Sequence, residues 1–455
     1  MNQPAPWPTA DDLGLLTDRY ELSMLQAYWA AGLDGRATFS LYFRKLPPAR
    51  RFMLACGQQH AAHLVSRLRF PTAALDTIAS LGGFRDGFLR WLGEFRFSGD
   101  IVALAEGTPV FPEEPLLEVT APIAEAQLLE TLIMNYVHLE TVLASKAVRM
   151  VLAAGGRPVV DFGMRRMHGL DAAVRGVRAY RTAGIAGTSH VYAGLRFGLP
   201  VSGTMAHSYI QAFDEEAEAF RRYAELYPGT TLLVDTYDTL AAVDKVISLR
   251  RELKEAFRVG AVRLDSGDMA ALAKAARERL DAGGLGDVRI LASGGLDEHA
   301  IAKLLAAGAP IDGFGVGTSL GTSADAPFLD LVYKMTSFAG IPRLKSSPGK
   351  AIWPGAKQVF RYCDAGGRYA RDEVTLRDEH RDGAEALLAP IVAGGEPLDA
   401  PTLDPAAAAA HARAAVGRLP APLLTVDDGH ADYPVSISAA VARERDRALA
   451  RVAHG

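Results

Sequence analysis

The chain has 455 residues, 49% apolar and 22% charged, which excludes a mostly disordered protein and allows about three domains of ordinary size. Its 49 basic and 53 acidic residues leave a net charge of −4 with no long run of one sign, so no clustered basic face points to nucleic acid or a membrane surface. Two cysteines, Cys56 and Cys363, exclude a disulfide framework and a four-cysteine zinc site, and no apolar run reaches the roughly 18 residues of a spanning helix.

Met1-Asn2-Gln3-Pro4 shows no basic segment leading into an apolar stretch, so we expect no secretory signal and a cytoplasmic protein. Asp18 is placed to cap a helix through Glu21, Met24, Leu25 and Tyr28. Thr38 to Phe43 reads as a strand and Arg51 to Leu68 as a helix. Pro112, Pro115 and Pro122 punctuate a strand-rich passage. From Ile123 an amphipathic helix shows Leu129, Leu132, Ile133, Tyr136 and Val137 at three- and four-residue steps.

A regular cadence follows, in which short apolar runs end in polar or glycine-rich residues and a helical stretch comes next. The runs are Pro158–Val160, Leu199–Ser202, Thr231–Val234, Gly260–Val262, Arg289–Ala292 and Gly313–Val316. Their last four polar anchors, Asp235, Asp265, Ser293 and Gly317, are 30, 28 and 24 residues apart, the spacing of successive βα units. A doubly wound sheet and a (βα) barrel both fit, and both put ligands at the carboxyl ends of the strands. The late glycine turns favour the barrel. Beyond Tyr333 we expect a hairpin of Gln358–Cys363 with Tyr369–Leu376, an Ala-rich helix after Pro405, and a helix after Ser436 that packs back on the first domain. The expected domains are 1–122 with 340–455, and 123–339.

The strand ends carry the chemistry. Ser293-Gly294-Gly295 opens a helix and Gly315-Val316-Gly317-Thr318 closes a strand, so their N–H groups are placed for phosphate oxygens; tight turns without a ligand would look the same. In Arg263-Leu264-Asp265-Ser266-Gly267-Asp268, alternation puts Arg263 and Asp265 on one side of the strand. Asp265 either neutralises Arg263, or Arg263 meets an anion while Asp265 and Asp268 orient a hydroxyl, a metal or an arginine. His207 stands at a helix start, where a lone histidine is ordinarily structural. Arg165 and Arg166 suit either acids at an interface or a phosphate. The histidines His60, His63, His138, His168 and His190 show no metal-ligand spacing.

Together these strings resemble the nicotinate phosphoribosyltransferase family. The resemblance runs from Leu16–Leu22 through Asp161–Gly169, Gly203–Ser208, Arg263–Asp268 and Ser293–Leu296 to Gly315–Ser319 and Tyr333-Lys334, about 320 residues. It implies an incomplete TIM-like (βα) barrel plus a flanking α/β domain built from both chain ends. It also implies an ATP-coupled, Mg²⁺-dependent enzyme of the ligase class that joins nicotinate to phosphoribosyl pyrophosphate, giving nicotinate mononucleotide in NAD salvage. A homodimer is implied, with no nucleic-acid or membrane partner.

Residue by residue, His207 matches the histidine that ATP phosphorylates. Phe162 and Tyr20 match the rings that sandwich the pyridine, Tyr20 coming across the dimer interface. Arg263 and Thr204 match nicotinate contacts. Arg165, Ser293, Gly294, Gly295, Gly317 and Thr318 match phosphate positions, and Asp265 and Asp268 the carboxylates near ribose and Mg²⁺, with no direct metal ligand assigned. Similar nicotinamide-using relatives carry an aspartate where this chain has Ser189; a serine donates to a carboxylate, which favours nicotinate. Some relatives carry a four-cysteine zinc knuckle that two distant cysteines cannot form, so no zinc is expected. The rivals are a nicotinamide- or quinolinate-specific phosphoribosyltransferase, a phosphosugar aldolase or isomerase, and a non-catalytic nucleotide-binding barrel. An aldolase would want a strand-end lysine, and none of the six runs supplies one.

Overall fold

The structure is a computed structural model that describes residues 8–48, 50–345, 352–398, 405–427 and 431–453. Met1-Asn2-Gln3-Pro4 lies outside them. The chain forms two compact units. The first is Met1–Val142 with Phe328–Leu423 and His430–Gly455, and the second is Leu143–Pro327 with Leu424–Gly429. The sequence placed these divisions at 122/123 and 339/340.

The first unit is built on a seven-stranded sheet in which Arg36–Phe43 lies between Leu331–Phe338 and Leu117–Pro122, antiparallel to both. Apart from Arg36 that strand is buried throughout, and Leu25, Leu41, Phe43, Val119 and Ile133 belong to the core on it. Leu331–Phe338 is thus a sheet strand of this unit. The helix expected at Arg51–Leu68 spans only Gln58–Val65, because Met53-Leu54 pairs instead with Pro109-Val110 and Gly57 turns the chain at φ 96°. Asp18 does precede the Arg19–Ala30 helix, but makes no capping bond; its carboxylate accepts from the Thr131 hydroxyl at 2.7 Å. The hairpin forms from Lys357–Cys363 and Tyr369–Leu376, and helices run Ala406–Gly417 and Ala439–Ala453.

The second unit holds a six-stranded, wholly parallel sheet. Its strands are β1 (Val159–Asp161), β2 (Gly187–Thr188), β3 (Thr231–Leu233), β4 (Ala261–Leu264), β5 (Arg289–Ala292) and β6 (Gly313–Val316), in the order β2-β1-β6-β5-β4-β3. Five of the six apolar runs become these strands. The run Leu199–Ser202 does not: it contributes a single bridge, Val201 to Thr188. The sixth strand is β2, only two residues long and without an apolar run to reveal it. Parallel strands need crossovers, and helices supply them: Leu170–Ala183 leads from β1 to β2, Thr239–Leu253 from β3 to β4, Met269–Ala282 from β4 to β5 and Glu298–Ala306 from β5 to β6. All carboxyl ends of the strands therefore emerge on one edge. No helix among the described residues is long and apolar enough to cross a membrane.

Candidate active site

That edge opens into a cavity of about 600 Å³ whose lining includes Phe162, Arg165, Ser189, Thr204, His207, Arg263, Asp265, Ser293, Gly294, Gly295, Gly317 and Thr318. Residues singled out one string at a time, over more than 150 positions, are thus brought to one place by the parallel sheet. Arg166, Met205 and Gly315 line it as well.

The floor is built around Arg263, on β4. Burial pushes its guanidinium pKa down, while Asp265 and Asp235 push it back up and Arg165 opposes them. Among the described residues its Nε is buried without a hydrogen-bond partner, and its Nη2 reaches the Met205 carbonyl at 3.5 Å. A half-buried cation with an unused donor is suited to an incoming anion.

Asp265, which follows β4, accepts a short hydrogen bond from the Ser293 hydroxyl, and the Ser293 N–H donates to the Leu264 carbonyl at 2.8 Å. The Ser293–Gly295 turn is thereby seated on the end of β4. Gly294 has φ +93°, and a Cβ there would lie 1.8 Å from the Asp265 carbonyl oxygen. Only glycine fits. Asp235 accepts from the Ser266 hydroxyl at 2.6 Å, and its other oxygen is buried without a partner among the described residues.

Phe162 follows β1, its N–H donating to the Val316 carbonyl at 2.7 Å. A Cβ on Gly315 would sit 2.6 Å from the Phe162 ring, so the glycine clears space for it. The sequence marked the Gly315–Thr318 string for phosphate and missed this steric role, which needs the β1–β6 pairing to be seen. Arg166 donates to the Thr318 hydroxyl at 3.0 Å, joining the β1 and β6 loops. His207 begins the short helix His207–Gln211, and its Nδ1 shares a hydrogen bond with the Thr236 hydroxyl at 3.1 Å. Thr236 was not singled out from sequence; a hydroxyl three residues past a strand carries no signal of its own.

Two expected residues stand apart from this lining. Asp268 is the N-cap of the Met269–Ala282 helix, its carboxylate accepting from the Ala271 N–H at 3.2 Å. Tyr20 sits in the first turn of the Arg19–Ala30 helix of the first unit, 47% exposed.

Residues 15–138 match the nicotinate phosphoribosyltransferase N-terminal domain, and residues 158–347 match the nicotinate phosphoribosyltransferase family. The chain belongs to that family. A nicotinate phosphoribosyltransferase of Mycobacterium tuberculosis is 50% identical over 442 residues, covering 97% of this chain and 94% of that protein. One from Bacillus subtilis is 38% identical over 386 residues, covering 83% and 79%. The solved structure of human nicotinic acid phosphoribosyltransferase superposes with a TM-score of 0.83 at 26% identity, covering 95% of this chain and 99% of that one. The family match thus spans the second unit's sheet and most of the first unit's N-terminal part.

Proposed function

We propose that the chain is a nicotinate phosphoribosyltransferase of NAD salvage, acting in the cytoplasm, that makes nicotinate mononucleotide and pyrophosphate from nicotinate and phosphoribosyl pyrophosphate. The observation that carries the reading is the single cavity in which an anion-ready Arg263, an aromatic ring and two glycine turns converge. The parallel order of β1 to β6, with helical crossovers, supports reading this sheet as an incomplete TIM-like barrel.

In this reading the Ser293–Gly295 and Gly317–Thr318 turns, with Arg165, hold the phosphates. Phe162 stacks on the pyridine, and Arg263, Thr204 and Ser189 meet the nicotinate carboxylate. The bond from the ribose anomeric carbon to pyrophosphate breaks with its electron pair leaving on the pyrophosphate oxygen. The pyridine nitrogen then forms the new bond to that carbon. Charge builds up on the sugar as in glycosyl transfer, and Asp265 offsets it. Holding ring and sugar in line supplies much of the rate.

Asp265 offers the hard oxygen donors that Mg²⁺ prefers, and lies in the cavity lining where the pyrophosphate would sit. Mg²⁺, when bound, neutralises the leaving group. Asp268 stands outside the cavity lining and caps a helix, which makes Asp265 the better candidate. ATP enters through His207: in the tautomer whose Nδ1–H donates to Thr236, the Nε2 lone pair attacks the γ-phosphorus, ADP leaves, and the phosphohistidine is later hydrolysed. We further propose a homodimer in which exposed Tyr20 of a second copy completes the aromatic sandwich.

Incubating the purified protein with nicotinate, phosphoribosyl pyrophosphate and Mg²⁺, with and without ATP, tests this reading. Equal yields of nicotinate mononucleotide and pyrophosphate are expected. Failure to form the mononucleotide both with and without ATP overturns it.

A further inference from the structure

Asp161 ends β1 and is 1% exposed, and it is not part of the cavity lining. Yet three of its acceptor positions hold the two loops that flank the pyridine end of the site. Its Oδ1 accepts from the Gly163 N–H at 2.8 Å, just past Phe162. Its Oδ2 accepts from the Thr188 hydroxyl at 2.7 Å, and its carbonyl oxygen accepts from the Ser189 N–H at 2.8 Å. The Thr188 oxygen in turn accepts from the His190 N–H at 3.1 Å, so the chain on both sides of Ser189 is tied to one carboxylate.

We propose that Asp161, acting through Thr188, is the positioning residue that sets which pyridine the site accepts, by locking the Phe162 loop and the Ser189 loop into one arrangement. The inference rests on the reading that Phe162 stacks on the pyridine and Ser189 meets its carboxylate. The loops have little other freedom: a Cβ on Gly163 would lie 2.9 Å from the Gly317 carbonyl, so the first is already wedged against the β6 end. Burial raises the Asp161 pKa, opposed by the Thr188 and Gly163 hydrogen bonds, as expected of a carboxylate kept in place by its donors. A group whose only task was to join β1 to β2 would affect stability without changing the choice between nicotinate and nicotinamide. Here the same bonds set the height of the ring and the position of the Ser189 hydroxyl. A loss of register should therefore act on the substituent at the ring's 3-position.

The test uses the full chain with Thr188→Val, which keeps shape and removes the hydroxyl, Thr188→Ser, which restores it, and Ser189→Ala. Hydrogen exchange of segments containing Gly163 and Ser189–His190 is followed without substrate, alongside kcat and KM for nicotinate and nicotinamide. Thr188→Val is expected to speed exchange in both segments and to raise the nicotinate KM about tenfold, the worth of one charge-assisted hydrogen bond. It should leave kcat little changed and narrow the preference for nicotinate, and Thr188→Ser should recover all three. Parental exchange in Thr188→Val overturns the proposal, as does faster exchange with parental selectivity. If Ser189→Ala alters selectivity while Thr188→Val does not, the proposal falls and the Ser189 contact stands. If Ser189→Ala keeps parental selectivity, the Ser189 contact falls and takes the proposal with it.

Discussion

His207 and Thr236 are joined by a hydrogen bond of 3.1 Å between the ring Nδ1 and the hydroxyl oxygen. With Nδ1–H donating to that hydroxyl, the Nε2 lone pair is left free, as the proposed phosphorylation of His207 requires. Thr236→Val should cut the ATP-stimulated rate about tenfold, as loss of an orienting hydrogen bond would, while Thr236→Ser retains it. His207→Ala should abolish both ADP release and the rate gain from ATP. Measuring ADP release beside nicotinate mononucleotide decides the matter. Undiminished ATP stimulation in His207→Ala would remove the phosphohistidine from the account.

Ser189 lines the cavity one residue beyond β2, and in the proposed function its hydroxyl meets the incoming carboxylate. Ser189→Asp places a negative charge there. Nicotinate kcat/KM should fall by at least about tenfold, and the ratio of nicotinamide to nicotinate use should rise. Unchanged steady-state kinetics for both substrates would contradict the assignment.

The two adjacent glycines of the Ser293–Gly295 turn make a graded prediction. Both have positive φ, +93° at Gly294 and +68° at Gly295, but a Cβ meets the Asp265 carbonyl at 1.8 Å in the first and nothing within 4 Å in the second. Gly295→Ala should cost about 1–2 kcal/mol of stability, from the backbone conformation alone. Gly294→Ala should lower the melting temperature further and raise the KM for phosphoribosyl pyrophosphate, because the turn must leave β4. Thermal melts and KM values that rank the variants the other way would refute this.

Downstream of the same turn, Glu298 is fully buried against Lys146 and Arg149, with its Oε1 accepting from the Arg149 Nε at 2.8 Å. Burial works to raise its pKa, but the two cations prevail and hold it at about 2, below the ordinary 4.5. The folded state therefore binds this proton less readily than the unfolded chain. Glu298 contributes stability above about pH 4.5 that is lost as the pH falls towards 2. Between pH 6 and 3.5 the urea midpoint should fall less in Glu298→Gln than in the parent. An equal fall in both would contradict the sign.

Much of the second unit was legible because its strands are short apolar runs that stop at chemistry-bearing residues. The 30-, 28- and 24-residue cadence from Asp235 to Gly317 is therefore visible in one dimension. Strand β2 was not visible, since Gly187-Thr188 holds its place by pairing with β1 and by the Thr188–Asp161 bond rather than by hydrophobicity. Leu331–Phe338 was missed as a strand because its partner, Arg36–Phe43, lies some 300 residues away, and no local period reports so distant a pairing. In the site, charges and glycine turns were readable from residue type. The void that Gly315 leaves for Phe162 and the alignment of His207 by Thr236 exist only once the strands are side by side.

In the proposed function, nicotinate is bound and converted in the cavity at the strand ends of the second unit, with Arg263 as its anion partner. Steady-state kcat/KM for nicotinate in Arg263→Ala, at saturating phosphoribosyl pyrophosphate and with the melting temperature checked, tests this most directly. A loss of roughly a hundredfold is expected, the worth of a charge-assisted contact at a half-buried arginine. A folded Arg263→Ala protein with parental kcat/KM would contradict it.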